Sequence, residues 1–259
     1  MKGPELQEAI AEHVLRLGHV RIEDLVEHFG VSRMTAHRHV EALARQGVLR
    51  RLHGAVTAQP SGLYESAFRY RVTVAQAEKQ ALARAALRYV EAGQAVMLDE
   101  SSTVMALASL LGQVAPLTVA TNSVAAAEQL IKIEGVDLIS LGGNYNKVYN
   151  AYIGLICEQA IAKLRVNTLF LSASAVHGMA AFIQDQQMVR VKQAMMAVAQ
   201  KRVLLVDHDK FDRQALHLLA PLSEFDVVLA TDGLNAARRA TIADGGVNLQ
   251  IVSTARAAE

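Results

Sequence analysis

The feature that most constrains this chain is an alternation of short apolar runs with helix-like stretches, which begins at residue 95. The apolar runs have strand character and cover residues 95–98, 117–120, 136–141, 168–171, 203–206 and 227–229. Helix-like stretches at 102–112, 123–133, 151–164 and 187–201 lie between most of them. Strands that alternate with helices form βαβ units, so the sequence predicts an α/β domain with a mainly parallel sheet.

The N-terminal region has a different pattern, that of three short helices. Three apolar stripes recur at helical spacing: Leu6, Ile10, Val14 and Leu17; then Ile22, Leu25, Val26 and Phe29; then Ala36, Val40 and Leu43. Gly18, Gly30 and Gly47 follow the stripes as stop signals, and Ser32 is placed to cap the third helix. Residues 48–52 and 55–57, joined by a His53-Gly54 turn, have the pattern of a two-stranded wing. The region therefore predicts a winged helix-turn-helix.

Charge supports a polyanion partner for this region. Residues 31–56 carry five arginines and one glutamate, although the whole chain has a net charge of only +1. An advance of about 100° per residue from Val40 turns Arg38 and Arg45 away from the core, as a helix in a major groove requires. The alternative is a small helical domain with a solvated basic face. The predicted DNA-binding residues are Ser32, Arg33, Thr35, His37, Arg38, Arg45, Arg50, Arg51 and His53.

Polar residues follow each predicted strand at the point where it ends. Carboxyl ends of parallel strands form the ligand crevice of an open α/β sheet, and hydroxyls near helix starts suit an oxyanion. Taken one at a time, such residues are more often ordinary helix caps and turns, but they recur at six strand ends. The predicted effector-binding residues are Asp99, Glu100, Ser101, Ser102, Thr103, Thr121, Asn122, Gly142, Gly143, Ser172, Ser174, Asp207 and Lys210.

Composition excludes several classes of protein. Cys157 is the sole cysteine, which excludes a disulfide framework and a structural zinc cluster and favours a reducing compartment. No metal-ligand spacing, P-loop or GxGxxG is present, so neither a metal nor a cofactor is predicted. His208 lies between two aspartates, where a solvated loop or a sugar contact is favoured over a metal. No apolar run approaches the ~18 residues of a membrane span, and the expected location is cytoplasmic.

From about Leu6 to Val252, the layout resembles the DeoR family of bacterial transcriptional regulators. In the N-terminal region the matching residues are 32–40, Leu43, Gly47 and the wing at 49–55. In the connecting segment they are Glu65, Phe68, Arg71, Glu78 and Lys79. Beyond it they are 99–103, 121–123, 141–143, Gly154 and 207–211. Together these motifs are specific, although each alone is weak.

The resemblance implies a winged-helix DNA reader joined to a sensor domain with the pentose-phosphate-isomerase-like fold. Residues 1–58 are predicted as the DNA-binding domain, 59–76 as a linker that turns at Pro60, Ser61 and Gly62, and 77–255 as the effector-binding and oligomerisation domain. A helix is predicted over 76–91, closed by Gly93.

The resemblance also implies partners for this chain. They are double-stranded operator DNA, a phosphorylated sugar or related metabolite, and further copies in a homodimer or homotetramer. Most family members repress carbohydrate catabolic operons.

The chain departs from the family pattern at three places. His37, Arg38 and His39 stand where two arginines and an aspartate are usual, and Ala55 replaces a glycine of the wing. Glu100-Ser101 replaces a small residue and a glycine in the phosphate-binding loop, which adds a negative charge near the expected anion. A phosphorylated sugar acid or a polyol phosphate therefore stays open beside an aldose phosphate as the effector.

Two other functions remain to be weighed against a regulator. A sugar-phosphate isomerase-like enzyme could use Asp99, Asp207 and Lys210 as base and electrophile, but a fused DNA module argues against it. An architectural DNA-binding protein would have no effector. Isomer formation would identify the enzyme, and a thermal shift with metabolites separates the sensor from the architectural protein.

Overall fold

The N-terminal part of the chain forms three helices and a small antiparallel sheet. The computed structural model describes residues 3–60 and 65–255, so Met1, Lys2 and the predicted turn residues Ser61 and Gly62 lie outside it. The elements are α1 (Gly3–Leu17), β1 (His19–Arg21), α2 (Ile22–Phe29), α3 (Arg33–Arg45), β2 (Arg50–Leu52) and β3 (Ala55–Thr57). The sheet order is β1–β3–β2. The predicted helix-turn-helix and wing are confirmed, and β1 adds a third strand.

Local chemistry defines the turn between α2 and α3. Gly30 adopts φ 61° and ends α2, because its left-handed conformation is one that glycine reaches without strain. Ser32 then caps α3, since its hydroxyl accepts a hydrogen bond from the Thr35 amide at 3.1 Å. The prediction for Leu17 was wrong: it is 55% exposed, because α1 ends there and the chain turns away at Gly18.

The larger part of the chain is an α/β unit. Its helices are α4 (Phe68–Arg71), α5 (Gln76–Leu87), α6 (Ser102–Ala108), α7 (Val124–Leu130), α8 (Leu155–Ala162), α9 (Gln186–Val198) and α10 (Ala236–Asp244). Its strands are β4 (Ala95–Leu98), β5 (Leu117–Thr121), β6 (Val136–Ser140), β7 (Asn144–Asn146), β8 (Ala151–Ile153), β9 (Val166–Leu171), β10 (Ala175–His177), β11 (Ala180–Ile183), β12 (Ala199–Val206), β13 (His217–Pro221), β14 (Val227–Thr231) and β15 (Leu249–Val252).

Seven of these strands form one parallel sheet, which confirms the predicted architecture. The strand order is β15–β14–β12–β9–β4–β5–β6, and every pairing in it is parallel. Side chains alternate between two apolar clusters, since Met97 packs on one face of the sheet while Val96 and Leu98 pack on the other. Burial on both faces explains why inner strands such as β4, β9 and β14 appear in the sequence as continuous apolar runs.

Several predicted boundaries were wrong. Residues 151–153, expected to begin a helix, form β8, which pairs antiparallel with β7. Glycine at position 154, with φ 86°, turns the chain before α8 begins at Leu155. The predicted helices over 76–91 and 187–201 end earlier, at Leu87 and Val198. Apolar periodicity cannot separate a short buried strand from an adjoining helix.

The segment predicted as a linker, 59–76, is partly built into the fold. It contains α4, and both Phe68 and Arg71 of that helix are buried. The Phe68 amide donates to the Val148 carbonyl at 2.7 Å, which ties the segment to the β7–β8 hairpin. No helix within residues 3–60 and 65–255 has both the length and the hydropathy to cross a membrane.

The N-terminal helical region and the α/β unit meet at Gly47, just beyond the end of α3. A methyl group built on Gly47 would lie 2.6 Å from Val148 Cγ2, and Gly47 has φ 70°. Gly30 has a similar φ of 61°, but its added methyl would meet nothing within 4 Å. A comparison of alanine substitutions at the two glycines therefore distinguishes the effect of backbone strain from the effect of the contact with the β7–β8 hairpin.

We expect Gly47→Ala to destabilise the chain by about 1 kcal/mol more than Gly30→Ala, because the first adds overpacking to the strain that both share. Urea unfolding followed by circular dichroism measures the difference. In the Val148→Ala background, Gly47→Ala should no longer destabilise the chain more than Gly30→Ala does, because the contact with Val148 is removed. Equal effects of the two single glycine substitutions would contradict the contact.

Candidate functional site

The nine predicted DNA-binding residues lie on one small part of the molecule. Ser32 is the N-cap of α3, and five of the others lie along α3: Arg33, Thr35, His37, Arg38 and Arg45. The remaining three belong to the wing: Arg50 and Arg51 on β2, and His53 in the turn that follows. Arg33, Arg38, Arg45, Arg51 and His53 are exposed, whereas Thr35, His37 and Arg50 are half-buried.

The arginines of this surface are held only weakly by the protein itself. Arg33 pairs with Glu23 at 3.1 Å and Arg45 with Glu41 at 3.9 Å, and all four side chains are more than half exposed. Exposed pairs of this kind contribute about 0–1 kcal/mol, so phosphate groups can replace the carboxylates at little cost. The Arg50 guanidinium donates to the Gln59 carbonyl at 3.4 Å.

His39 faces inward, although it belongs to the same basic stretch. It is 6% exposed, and its Nε2 atom has no hydrogen-bond partner within the described part of the chain. Burial, and then the charge of Arg38, lower the pKa of His39. His39 is therefore neutral at pH 7 and packs beside the outward face instead of forming part of it.

A cleft opens where β4 and β9, neighbours in the sheet, reach their carboxyl ends. Its volume is about 20 Å³, which is room for about one water molecule. Its lining combines hydroxyl groups, carboxylates and cations from widely separated segments: Glu65, Arg71, Glu100, Ser101, Ser102, Thr103, Tyr149, Ser172, Ala173, Ser174, Ile183, Lys192 and Lys210. Seven of the predicted effector-binding residues meet here: Glu100, Ser101, Ser102, Thr103, Ser172, Ser174 and Lys210.

Asp99 lies beneath the cleft and organises its wall. Its Oδ1 atom accepts from the amide and the hydroxyl of Ser101, at 2.9 and 2.6 Å. Its Oδ2 atom accepts from the Ser172 amide at 2.8 Å and from the Lys192 ammonium. Asp99 is fully buried, so it positions the two loops that follow β4 and β9.

Lys192 of α9 is a central residue of the site that the sequence interpretation missed. Its ammonium pairs with Asp99 and, at 3.0 Å, with Glu100 Oε1. Burial acts to lower the pKa of Lys192, but the two carboxylates outweigh it and raise that pKa. A signal was available, because Met188, Val191, Lys192 and Met195 share one buried helical stripe in which a lysine requires a buried partner.

Glu100 lies in the loop between β4 and α6, directly before the N-cap residue Ser101. It is 2% exposed, and burial raises the pKa of its carboxyl group in spite of the Lys192 ammonium. Its Oε2 atom has no hydrogen-bond partner among the residues that the structure describes. The Lys192 pairing explains how an acidic residue is accommodated in this loop.

The opposite part of the cleft is built from the segment that was predicted as a linker. Arg71 lies over the rings of Phe68 and Tyr149, with its Cζ atom 5.5 and 5.4 Å from their centroids. Its Nε atom donates to the Ser66 carbonyl at 3.2 Å. Glu65 Oε2 accepts a hydrogen bond from the Ser174 hydroxyl at 2.6 Å. Glu65, Arg71 and Tyr149 were absent from the predicted site, because none of them directly follows a predicted strand.

Lys210 brings a further cation to this part of the cleft. Burial lowers the pKa of Lys210, and the charges of Asp207 and Glu65 oppose that shift. Lys79, whose ammonium donates to the Arg71 carbonyl, has a pKa lowered to about 7 by burial and by the charge of Lys210. Mutual repulsion among these cations favours the neutral forms of the lysines. An anionic ligand would counteract this effect and raise the pKa values of the lysines.

The other predicted effector-binding residues, Thr121, Asn122, Gly142, Gly143 and Asp207, do not line the cleft. Thr121 Oγ1 accepts from the Ser123 amide at 3.1 Å, and Asn122 Nδ2 donates to the Tyr152 carbonyl at 2.9 Å. Gly142 and Gly143 precede β7, and a methyl group on Gly143 would lie 2.6 Å from the Ile153 carbonyl oxygen. Asp207 is 3% exposed beside Lys210. Within residues 3–60 and 65–255, no group of three or more His, Cys, Asp or Glu could hold a metal ion.

Comparison with known proteins places the chain in a family. Residues 74–232 match the DeoR C terminal sensor domain, and residues 7–61 match the DeoR-like helix-turn-helix domain. The chain is 30% identical over 241 residues to the uncharacterized HTH-type transcriptional regulator YgbI of Escherichia coli (strain K12), with 92% of this chain and 94% of that protein covered. It is also 30% identical over 229 residues to the glycerol-3-phosphate regulon repressor of the same strain, covering 88% and 90%.

A solved structure of D-ribose-5-phosphate isomerase in complex with phospho-erythronic acid aligns with 52% of this chain and 54% of its own, at 17% identity and a TM-score of 0.40. This likeness is partial and carries no argument about chemistry. The family assignment rests instead on the two domain matches and on the two relatives, which are similar to this chain along most of their length. This chain belongs to the DeoR family of transcriptional regulators.

Proposed function

We propose that this chain represses a carbohydrate catabolic operon and that a phosphorylated sugar or sugar acid switches its affinity for operator DNA. The observation that carries the proposal is the lining of the cleft. It combines three cations, Arg71, Lys192 and Lys210, with the hydroxyl groups of four serines and one threonine. Cations attract a phosphate or carboxylate, while hydroxyls and carboxylates exchange hydrogen bonds with sugar hydroxyls.

The proposed DNA-binding surface is the outward face of α3 together with the wing. Exposed guanidinium groups such as Arg38 can read base edges in a major groove, as the second helix of a helix-turn-helix does. Arg50 and Arg51 of the wing are proposed to contact phosphates, which contributes affinity without sequence preference. Residues 1–58, 59–76 and 77–255 are our proposed DNA-binding domain, connecting segment and sensor domain.

A homodimer or homotetramer is the assembly that we propose. An operator with two half-sites needs two DNA-binding domains, and symmetric oligomers supply them. Sedimentation of the full chain at micromolar concentration tests this proposal. A monomer that nevertheless binds a two-half-site operator would contradict it.

The experiment that tests the function begins with a thermal-shift screen of phosphorylated sugars, sugar acids and polyol phosphates. A ligand that binds the native state raises the melting temperature by mass action. Each compound that does so is then titrated into a gel-shift assay with operator DNA selected from a random pool. Release or retention of DNA at a defined ligand concentration supports the proposal, and no response to any stabilising ligand contradicts it.

Lys210→Ala provides a more specific result within that experiment. We expect the variant to bind operator as the unchanged protein does, but to need at least about tenfold more ligand for the same response, because one charge-assisted contact is lost. Ser102→Ala should shift the response in the same direction. Lys163→Ala, at an exposed position on the sensor domain, is the control. Unchanged responses in both cleft variants would remove this cleft from the effector site.

The isomerase-like alternative lacks a suitable base at Asp99. Both carboxylate oxygens of Asp99 already accept hydrogen bonds, from Ser101, Ser172 and Lys192, and the residue is fully buried. A general base needs an oxygen directed at the proton it removes. Incubation with pentose and hexose phosphates, followed by analysis for isomers, is the direct measurement, and we expect no turnover.

A further inference from the structure

The cleft contains a carboxylate that comes from outside the sensor sheet. Glu65 lies in the connecting segment before α4, yet its side chain reaches the wall after β9, where its Oε2 atom accepts from the Ser174 hydroxyl at 2.6 Å. Its Oε1 atom accepts from the Ser66 amide at 3.0 Å. A half-buried acidic side chain is thus fixed across one end of the cleft.

The surroundings of Glu65 keep it charged. Burial would raise the pKa of this carboxyl group, but Arg71, Lys210 and the Ser174 hydroxyl together lower it below the usual value. At neutral pH the cations therefore face a carboxylate that belongs to the chain itself. The Ser174 hydroxyl, which is bonded to Glu65, and the Arg71 and Lys210 side chains, which line the same cleft, together form a site for an anion.

Glu65 does not provide a hydrogen-bond partner for every polar group that lines the cleft. Arg71 is 9% exposed and Ser172 is 2% exposed, and both line the cleft. The Arg71 Nη2 and Ser172 Oγ atoms nevertheless have no hydrogen-bond partner among residues 3–60 and 65–255. Buried polar groups without partners are costly, so a ligand that supplies several acceptor oxygens gains from filling them.

We propose that Glu65 is an internal competitor of the effector: the anionic group of the effector displaces the Glu65 carboxylate from Ser174 and takes its place near Arg71 and Lys210. The inference rests on the proposed effector cleft. It adds that the anionic group of the effector binds at the Glu65 end of the cleft and that the Glu65 carboxylate must move away. The shared chemistry of the ligand is a phosphate or a carboxylate. Its oxygens can accept from the two cations and from both serines, whereas Glu65 already commits one oxygen to Ser66.

Displacement of Glu65 offers a route to the DNA-binding domain. Three residues along the chain, the Phe68 amide is bonded to the Val148 carbonyl at 2.7 Å. Val148 lies against Gly47 at the end of α3, and its neighbour Tyr149 lines the cleft beneath Arg71. A shift of the Glu65 segment therefore acts on the hairpin that contacts the end of the recognition helix.

Calorimetric titration of the full chain with inorganic phosphate, and separately with acetate, tests the competition. Glu65→Gln keeps an acceptor for Ser174 but removes the charge, so we expect at least about tenfold tighter binding of one of the two anions than in the unchanged protein. The anion that gains identifies the chemistry as phosphate or carboxylate. Glu128→Gln, an exposed substitution of the same kind, should change neither affinity.

A double variant and a structure complete the test. The gain should vanish in Glu65→Gln/Lys210→Met, and a gain that persists there, or no gain in Glu65→Gln, would overturn the proposal. If Glu65→Gln does not fold, crystals of the unchanged protein soaked in phosphate test whether an anion displaces Glu65. An anion at Arg71 and Lys210 with Glu65 turned away from Ser174 supports displacement, and no anion there, or an anion beside an intact Glu65–Ser174 bond, overturns it. These measurements need no DNA, so failure to bind operator would separately contradict the proposed function.

Discussion

Lys192→Met is expected to lower the free energy of unfolding by about 3–5 kcal/mol, the largest effect of any single substitution proposed for this chain. Methionine resembles lysine in length and fits a buried position, so the loss comes from the charge. Asp99 and Glu100, at 0% and 2% exposure, would lose the ammonium that pairs with both. Urea unfolding followed by circular dichroism at pH 7 measures the loss. Lys163→Met, at an exposed lysine, is the control and should change stability by less than about 0.5 kcal/mol.

The same variant should show a characteristic pH dependence. Without Lys192, the pKa of Glu100 in the folded protein rises further above its unfolded value, so the native state binds more protons than the unfolded state. Stability is then regained as the pH falls toward the unfolded pKa, and the deficit should be smaller at pH 5 than at pH 8. Glu100→Gln in the Lys192→Met background should recover part of the loss at pH 8. A deficit that is the same at both pH values would show that charge is not its cause.

Arg38→Ala is expected to weaken binding to the selected operator by about 1–3 kcal/mol, if Arg38 contacts a base edge as its exposed position on α3 suggests. Binding to unrelated DNA should change much less, so the ratio of specific to non-specific affinity falls. Fluorescence anisotropy with both DNAs, at one stated salt concentration, measures that ratio. Unchanged operator affinity would remove Arg38 from base recognition.

Arg51→Ala is the matched comparison, because Arg51 is also exposed but lies on the wing. A phosphate contact contributes equally to all sequences, so the variant should lose affinity for both DNAs and flatten the dependence of affinity on salt. A loss confined to the operator would instead make Arg51 a base-reading residue.

The sequence by itself determined the architecture, because the relevant signals are local. Helical periodicity, glycine stops and the Ser32 cap act over a few residues, and the structure confirms the three N-terminal helices that they predict. Six of the seven parallel strands were also predicted from their apolar runs, whereas the partly exposed edge strand β15 was missed. Glu100, Ser102 and Ser172, each of which follows a predicted strand, line one cleft, and their part in effector binding stays a prediction.

Only the tertiary structure decided how the charges of the cleft are paired. Lys192 and Asp99 are 93 residues apart, and Ser174 and Glu65 are 109 apart. The apolar stripe of α9 indicates that Lys192 is buried but does not identify its partner, and Glu65 lies in a segment without a periodic pattern. Each charge acquires its role only when the fold buries it, because the cost of removing it from water must then be offset by a partner that the chain brings from elsewhere.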